Sequence, residues 1–191
     1  MAERRVGKTG KPSRLPKLPA PKVTGRTHLV IGDAHCQADV PNQRFEWLGK
    51  FVAELKPDVV VDIGDWWDMP SLNTFDRPGS KSFEGRRYWL DIEAGVDAQE
   101  RFQWALNKRN KELKQKCKPR LVRTLGNHEY RIQRALEQTP RFEGMIGLHD
   151  LMSAEFGWEE VPFREDVLVE KQFSKFYDLR QKSEILFQTF F

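Results

Sequence analysis

Three short segments of the chain place acids, amides and imidazoles directly after runs typical of buried β-strands. They are residues 32–35, 64–68 and 126–129, and each begins with the glycine that ends its strand. Strand ends of this kind converge at one edge of a parallel sheet, where ligands usually bind. Hard oxygen donors together with imidazoles suit a pair of divalent ions that hydrolyses a phosphate ester. The spacing therefore predicts a dinuclear metal site.

Each candidate ligand has a role in such a site. Asp33 and His35 can bind one ion, and Asp65 can bridge that ion to a second one. Asn127 can offer its amide oxygen to the second ion. The adjacent His128 is then placed to protonate the leaving oxygen as a general acid.

Five neighbours are candidates for contacts behind these ligands or to the substrate: Asp68, Glu129, Arg131, Trp66 and Trp67. Asp68 is either an N-cap or the partner of a metal-bound histidine. Arg131 either meets the phosphate or pairs with Glu129, and the tryptophans either stack a base or pack beneath the next loop. A single Asp or Asn after a strand more often caps a helix or turn. The prediction therefore depends on all three segments occurring in order.

The elements that position these segments alternate in type, which predicts an α/β fold with parallel strands. Strands are expected at 28–31, 59–63 and 121–125, with a weak fourth strand at 167–169. Helices are expected at 41–55, 86–116, 129–137 and 148–156, with Gly95 as a candidate break in the second. Residues 69–85 predict an irregular loop beside the site, suited to a lid or a substrate contact.

The basic charge of the chain is concentrated at its start. Residues 1–26 hold eight Lys and Arg against Glu3 alone, a net charge of +7, which leaves −3 for the rest. Four prolines and little apolar periodicity predict a disordered arm, either a grip on nucleic acid or a solvated tail. No window suits a membrane span or a secretory signal, and the two cysteines fit free core thiols. We therefore expect a soluble, cytoplasmic protein.

The three segments resemble the motifs of the calcineurin-like metallophosphoesterase superfamily, which are Asp-x-His, Gly-Asp-x-x-Asp and Gly-Asn-His-Asp/Glu. The resemblance implies that Asp33 and His35 bind one metal, Asp65 bridges both, Asn127 binds the other and His128 assists the leaving group. It also implies a β-sandwich of two sheets flanked by helices, with two ions drawn from manganese, iron, zinc or nickel. The second motif is rich in tryptophan and is similar to that of phage-encoded members of the superfamily. A phage origin would place the protein in a host cytoplasm.

The chain departs from the family after the third motif. Members supply a later lone His and a Gly-His-x-His, whereas this chain has only His149 beyond His128, and we expect no ligand role for it. The second metal site is therefore expected to be weak. The domain at 27–170 is expected to be incomplete in its C-terminal sheet, and 171–191 to be an atypical tail, either covering exposed strands or arising from a shifted reading frame.

Together these features predict a metal-dependent phosphoesterase that hydrolyses phosphodiester or phosphomonoester bonds, with nucleic acids and nucleotides as candidate substrates. One alternative is a truncated, weak or inactive remnant of the same fold that binds at most one metal ion. Another is a protein that binds nucleic acid through its basic arm.

Overall fold

A computed structural model describes residues 26–76 and 79–166 of the chain, together with the backbone of two later strands. The strands are β1 (Thr27–Ile31), β2 (Val59–Asp62), β3 (Arg120–Thr124), β4 (Trp158–Val161), β5 (Ser174–Asp178) and β6 (Ser183–Phe187). The helices are α1 (Gln43–Leu55), α2 (Tyr88–Glu112) and α3 (Tyr130–Gln138). Short 3₁₀ helices lie at Pro70–Leu72, Lys81–Phe83, Pro140–Phe142 and Leu148–Leu151.

All six described strands form one sheet in the order β4-β3-β2-β1-β5-β6. Strands β1 to β5 all run parallel to one another, and β6 is antiparallel to β5. The helices α1 and α2 make the crossovers between the first three strands and pack on each other. All four residues of β2 are buried, as expected for a central strand of a parallel sheet. The predicted α/β class and its alternation of elements are confirmed. The sandwich of two sheets that the resemblance implied is not seen among the described strands, which all belong to this one sheet.

The long helix α2 continues through Gly95, so the predicted break there is wrong. Its glycine is required for packing: a Cβ atom at Gly95 would lie 1.8 Å from the indole nitrogen of Trp67. The absence of a side chain lets the loop after β2 lie directly against the helix.

The region after α3 differs most from expectation. The helix predicted at 148–156 is only the 3₁₀ helix Leu148–Leu151, which ends where Met152 adopts a left-handed φ of 52°. Strand β4 follows, with Trp158 buried and Glu159 and Glu160 exposed. The strand predicted at 167–169 lies outside the described residues.

Residues 1–25 of the predicted arm lie outside the described residues. The predicted tail at 171–191 includes the backbone of β5 and β6, which extend the sheet beyond β1, and its other residues lie outside the described ones. The loop predicted at 69–85 is irregular apart from two 3₁₀ helices, and its residues 77–78 are not described. Among the described helices, none combines the length and apolarity that crossing a bilayer requires.

Candidate metal centre

The carboxyl ends of β1 and β2 bring three of the predicted ligands together. One ligand atom each from Asp33, His35 and Asp65 lie within 4.8 Å of one another. The backbone N–H of His35 donates to the carbonyl of Asp65 at 2.9 Å, which ties the first loop to the second. Two carboxylates and an imidazole are a donor set that fits manganese, iron, zinc or nickel. The described residues therefore fit a divalent metal ion at this edge of the sheet.

All three of these residues have a left-handed backbone. Their φ angles are 47° at Asp33, 46° at His35 and 55° at Asp65. This conformation costs an L-residue about 1–2 kcal/mol, although Asp tolerates it better than most. Such strain persists only where the surroundings determine the backbone, and it is concentrated at functional sites.

The third segment supports Asp65 from the opposite side. The Oδ1 atom of Asp65 accepts the backbone N–H of His128 at 3.0 Å. A Cβ atom at Gly126 would lie 2.1 Å from the same oxygen, so only glycine leaves room for the carboxylate. Asn127 stands between these two contacts and is exposed.

The carboxylate of Glu129 is fully buried and accepts three backbone N–H groups. Its Oε2 accepts from Asp65 at 3.0 Å and Gly126 at 2.9 Å, and its Oε1 accepts from Trp67 at 2.9 Å. Burial raises the pKa of Glu129, and the donated hydrogen bonds act against that rise. Glu129 therefore joins the second and third segments through their backbones.

Asp68 lies between the two imidazoles of the site. Its Oδ1 is 2.9 Å from Nδ1 of His35 and 3.1 Å from Nδ1 of His128. The residue preceding the nearby 3₁₀ helix is Met69, and that helix has no side-chain cap. The structure thus favours Asp68 as a partner that orients histidines over its interpretation as an N-cap.

Arg131 contacts His128 directly. Its Nη2 is 3.0 Å from Nε2 of His128, while its Nη1 donates to the carbonyls of Asp68 at 2.8 Å and Met69 at 3.2 Å. Since a guanidinium only donates, Nε2 must accept and the neutral ring carries its hydrogen on Nδ1. That hydrogen points to the carbonyl of Asp68 at 2.8 Å. Arg131 is therefore engaged with these groups and not with the carboxylate of Glu129, whose oxygens are taken by backbone amides.

A second cluster with ligand atoms within 4.8 Å contains His35, Asp68 and His128. Both nitrogens of His128 are already engaged, Nδ1 with the carbonyl of Asp68 at 2.8 Å and Nε2 with Arg131 at 3.0 Å, so a metal ion in this cluster would have to displace one of these contacts. The cluster of Asp33, His35 and Asp65 is consequently the better metal site. The exposed His149, which lies beside Asp150, is outside both clusters.

Trp66 and Trp67 are both fully buried. Their indole nitrogens donate to carbonyls of α2, from Trp66 to Gly95 at 3.1 Å and from Trp67 to Ile92 at 3.2 Å. Neither ring offers a free face to a nucleic-acid base. Packing is therefore the interpretation that the structure supports, against base stacking.

A buried ion pair beneath the site was missed from the sequence. The Nε of Arg123 lies 2.6 Å from Oδ2 of Asp62, and both side chains are fully buried. The guanidinium carbon of Arg123 lies 4.5, 5.0 and 4.4 Å from the ring centroids of Trp66, Trp67 and Trp158. The available signal was an acid and a base at the ends of two apolar strands, because Asp62 and Arg123 are register partners.

The same ion pair gives a pH-dependent prediction. Burial raises the pKa of Asp62 to about 6, and Arg123 acts in the opposite direction. Because the folded-state pKa lies above the unfolded one, the stability linked to this group is present at low pH and is lost as the pH rises through about 6. A carbon-detected NMR titration of the Asp62 carboxyl should have its midpoint near pH 6. A midpoint at the ordinary Asp value of about 3.9 would contradict this prediction.

Comparison with known proteins gives one match. A family model described as calcineurin-like phosphoesterase matches residues 27–182, which is most of the chain. Searches of curated proteins and of solved structures gave no significant match.

Proposed function

The chain belongs to the calcineurin-like phosphoesterase family, and on this basis we propose that it hydrolyses phosphodiester or phosphomonoester bonds with a dinuclear metal centre. The observation that carries the proposal is the convergence of Asp33, His35 and Asp65 at the carboxyl edge of the sheet. Divalent ions held there would neutralise phosphoryl charge and make water nucleophilic near neutral pH. Asp33 and His35 would hold the first ion, Asp65 would bridge, and Asn127 would offer its oxygen to the second.

In this proposal His128 acts as the general acid. Protonated on both nitrogens, its ring keeps Nδ1–H on Asp68, whose carboxylate oxygen lies 3.1 Å away and stabilises the positive charge. The proton on Nε2 passes to the oxygen that leaves phosphorus. Nε2 is the atom that Arg131 now contacts at 3.0 Å, so Arg131 would turn its N–H groups to the phosphate oxygens when substrate enters.

A single-ion or inactive form of the site is the second candidate. It is favoured by the small number of imidazoles, because His35 and His128 are the only histidines of the described residues in either cluster of possible ligands. The second ion would then depend on Asp65 and Asn127 alone. Metal analysis separates the two candidates, since the dinuclear site predicts two equivalents per chain and the alternative predicts at most one.

The direct test is hydrolysis of an aryl phosphodiester and an aryl phosphomonoester by the full chain. We expect turnover with added Mn²⁺ and its loss when a chelator removes the metal, because the proposed mechanism relies on divalent ions to neutralise phosphoryl charge and to make water nucleophilic. Restored turnover on returning Mn²⁺ excludes denaturation by the chelator. A folded protein that stays inert with manganese, iron, zinc and nickel would contradict the proposed function.

A further inference from the structure

Two N–H groups of the loop that carries Asp65 donate to a side chain more than sixty residues away. Residues 64–67 follow β2 and lie outside the named strands and helices, with Trp67 in an isolated β-bridge to Cys36. The N–H groups of Asp65 and Trp67 instead donate to the carboxylate of Glu129 at 3.0 and 2.9 Å. These two amides lie on either side of the left-handed backbone at Asp65, where the chain turns at the edge of the sheet.

The same carboxylate fixes the residue that lies against the Asp65 side chain. Gly126 donates its N–H to Oε2 of Glu129 at 2.9 Å, the oxygen that also accepts from Asp65. Gly126 is the residue whose missing Cβ leaves space for Oδ1 of Asp65. One buried anion thus sets the distance between the Asp65 loop and the loop that borders it.

Hydrogen bonds from amides to a carboxylate are roughly twice as strong as neutral ones. Three of them offset the burial of the charge and the left-handed φ of 55° at Asp65. If residue 129 had only one accepting oxygen, at least one of the three amides would lose its hydrogen-bond partner. The Asp65 loop would then relax to a less strained backbone. The Asp65 carboxylate would then leave the position that it shares with Asp33 and His35.

We propose that Glu129 is a positioning residue that holds Asp65 in its ligand conformation, and that it sets the metal affinity without touching the metal. This inference rests on the proposed function, since it assumes that Asp65 is a ligand. In this role all three hydrogen bonds of the buried carboxylate hold the two loops that surround Asp65.

The substitution Glu129→Gln tests the need for two accepting oxygens. Glutamine has the same shape but only one accepting oxygen, so its NH₂ group must face either Trp67 or the pair formed by Asp65 and Gly126. Glu129→Asp keeps the charge but is one methylene too short to reach both sides. Both variants should bind Mn²⁺ about 10–100-fold more weakly, the usual effect of losing a partner behind a metal ligand.

Asn110→Ala is the matched control for a loss of stability alone. Asn110 is also a buried side chain that fixes a backbone segment, with Oδ1 accepting from the N–H of Cys117 and Nδ2 donating to its carbonyl, both at 2.8 Å. It lies before β3, at the opposite end of the strands from the metal cluster. It should lower the free energy of unfolding and leave Mn²⁺ affinity unchanged.

The experiment is a calorimetric Mn²⁺ titration of the chelated full chain and of each variant, with hydrogen exchange measured on the same metal-free samples. We expect weaker Mn²⁺ binding in both Glu129 variants, with faster exchange at the amides of Asp65, Trp67 and Gly126. Wild-type affinity in Glu129→Gln, equal losses in Asn110→Ala, or unchanged exchange at the three amides would overturn the proposal.

The proposed function can fail separately. Wild-type protein that binds Mn²⁺ without hydrolysing phosphate esters would contradict the proposed function, while the comparison of affinities would still decide the role of Glu129. Wild-type protein that does not bind Mn²⁺ would contradict both.

Discussion

Asp65→Asn is expected to reduce metal-dependent hydrolysis by about a hundredfold or more. Losing a partner behind a ligand already costs 10–100-fold, and Asp65 is the proposed ligand common to both ions. The amide keeps one oxygen, which can still accept the N–H of His128 now bonded at 3.0 Å. The fold should therefore survive, and kcat/KM at saturating Mn²⁺ is the measurement.

Asp58→Asn is the control for this substitution. Asp58 directly precedes the first residue of β2, at the end of the strand away from the metal cluster. Its side chain is exposed and accepts the N–H of Thr27 at 2.7 Å. It should retain wild-type activity. Equal activities in Asp65→Asn and wild type would contradict the role of Asp65 as the ligand common to both ions.

His128→Gln is expected to lower kcat by about 10²–10⁴-fold, the usual contribution of a general acid. Mn²⁺ affinity should change little, because the imidazole is a proton donor in this mechanism and not a ligand. The loss should be larger for a phenyl ester than for a nitrophenyl ester, since a better leaving group needs less protonation. Steady-state kinetics on both esters measures the difference.

The leaving-group comparison also contains its own control. A variant that had merely displaced the substrate would lose activity equally on both esters. Such equal losses, or weaker Mn²⁺ binding in His128→Gln, would contradict the role of general acid.

The strands and the converging segments were predictable because their signal is local. A run of three valines ending at Asp62 and Gly64 indicates a buried parallel strand, and β2 is buried throughout. An Asp or an Asn-His pair directly after a strand places candidate metal ligands and a candidate acid at the edge of the sheet. Asp33, His35 and Asp65 meet at one edge because their strands run parallel, which the alternation of elements predicts, although the order of the strands is known only from the structure.

The contacts behind the ligands were not predictable because they join distant parts of the chain. Glu129 reaches Asp65 across 64 residues, and Arg123 reaches Asp62 across 61. Arg123 in particular looks like a surface residue in sequence, yet three indole rings and a carboxylate enclose its guanidinium. Gly95 similarly suggested a break, although it is the contact point for Trp67.

The proposed mechanism requires that Asp33, His35 and Asp65 together bind a divalent ion. The most direct measurement is an anomalous difference map from crystals of the full chain soaked in Mn²⁺. We expect a peak among these three side chains, about 2.0–2.3 Å from their ligand atoms. A peak among His35, Asp68 and His128 instead, or no peak in crystals that take up Mn²⁺ elsewhere, would contradict it.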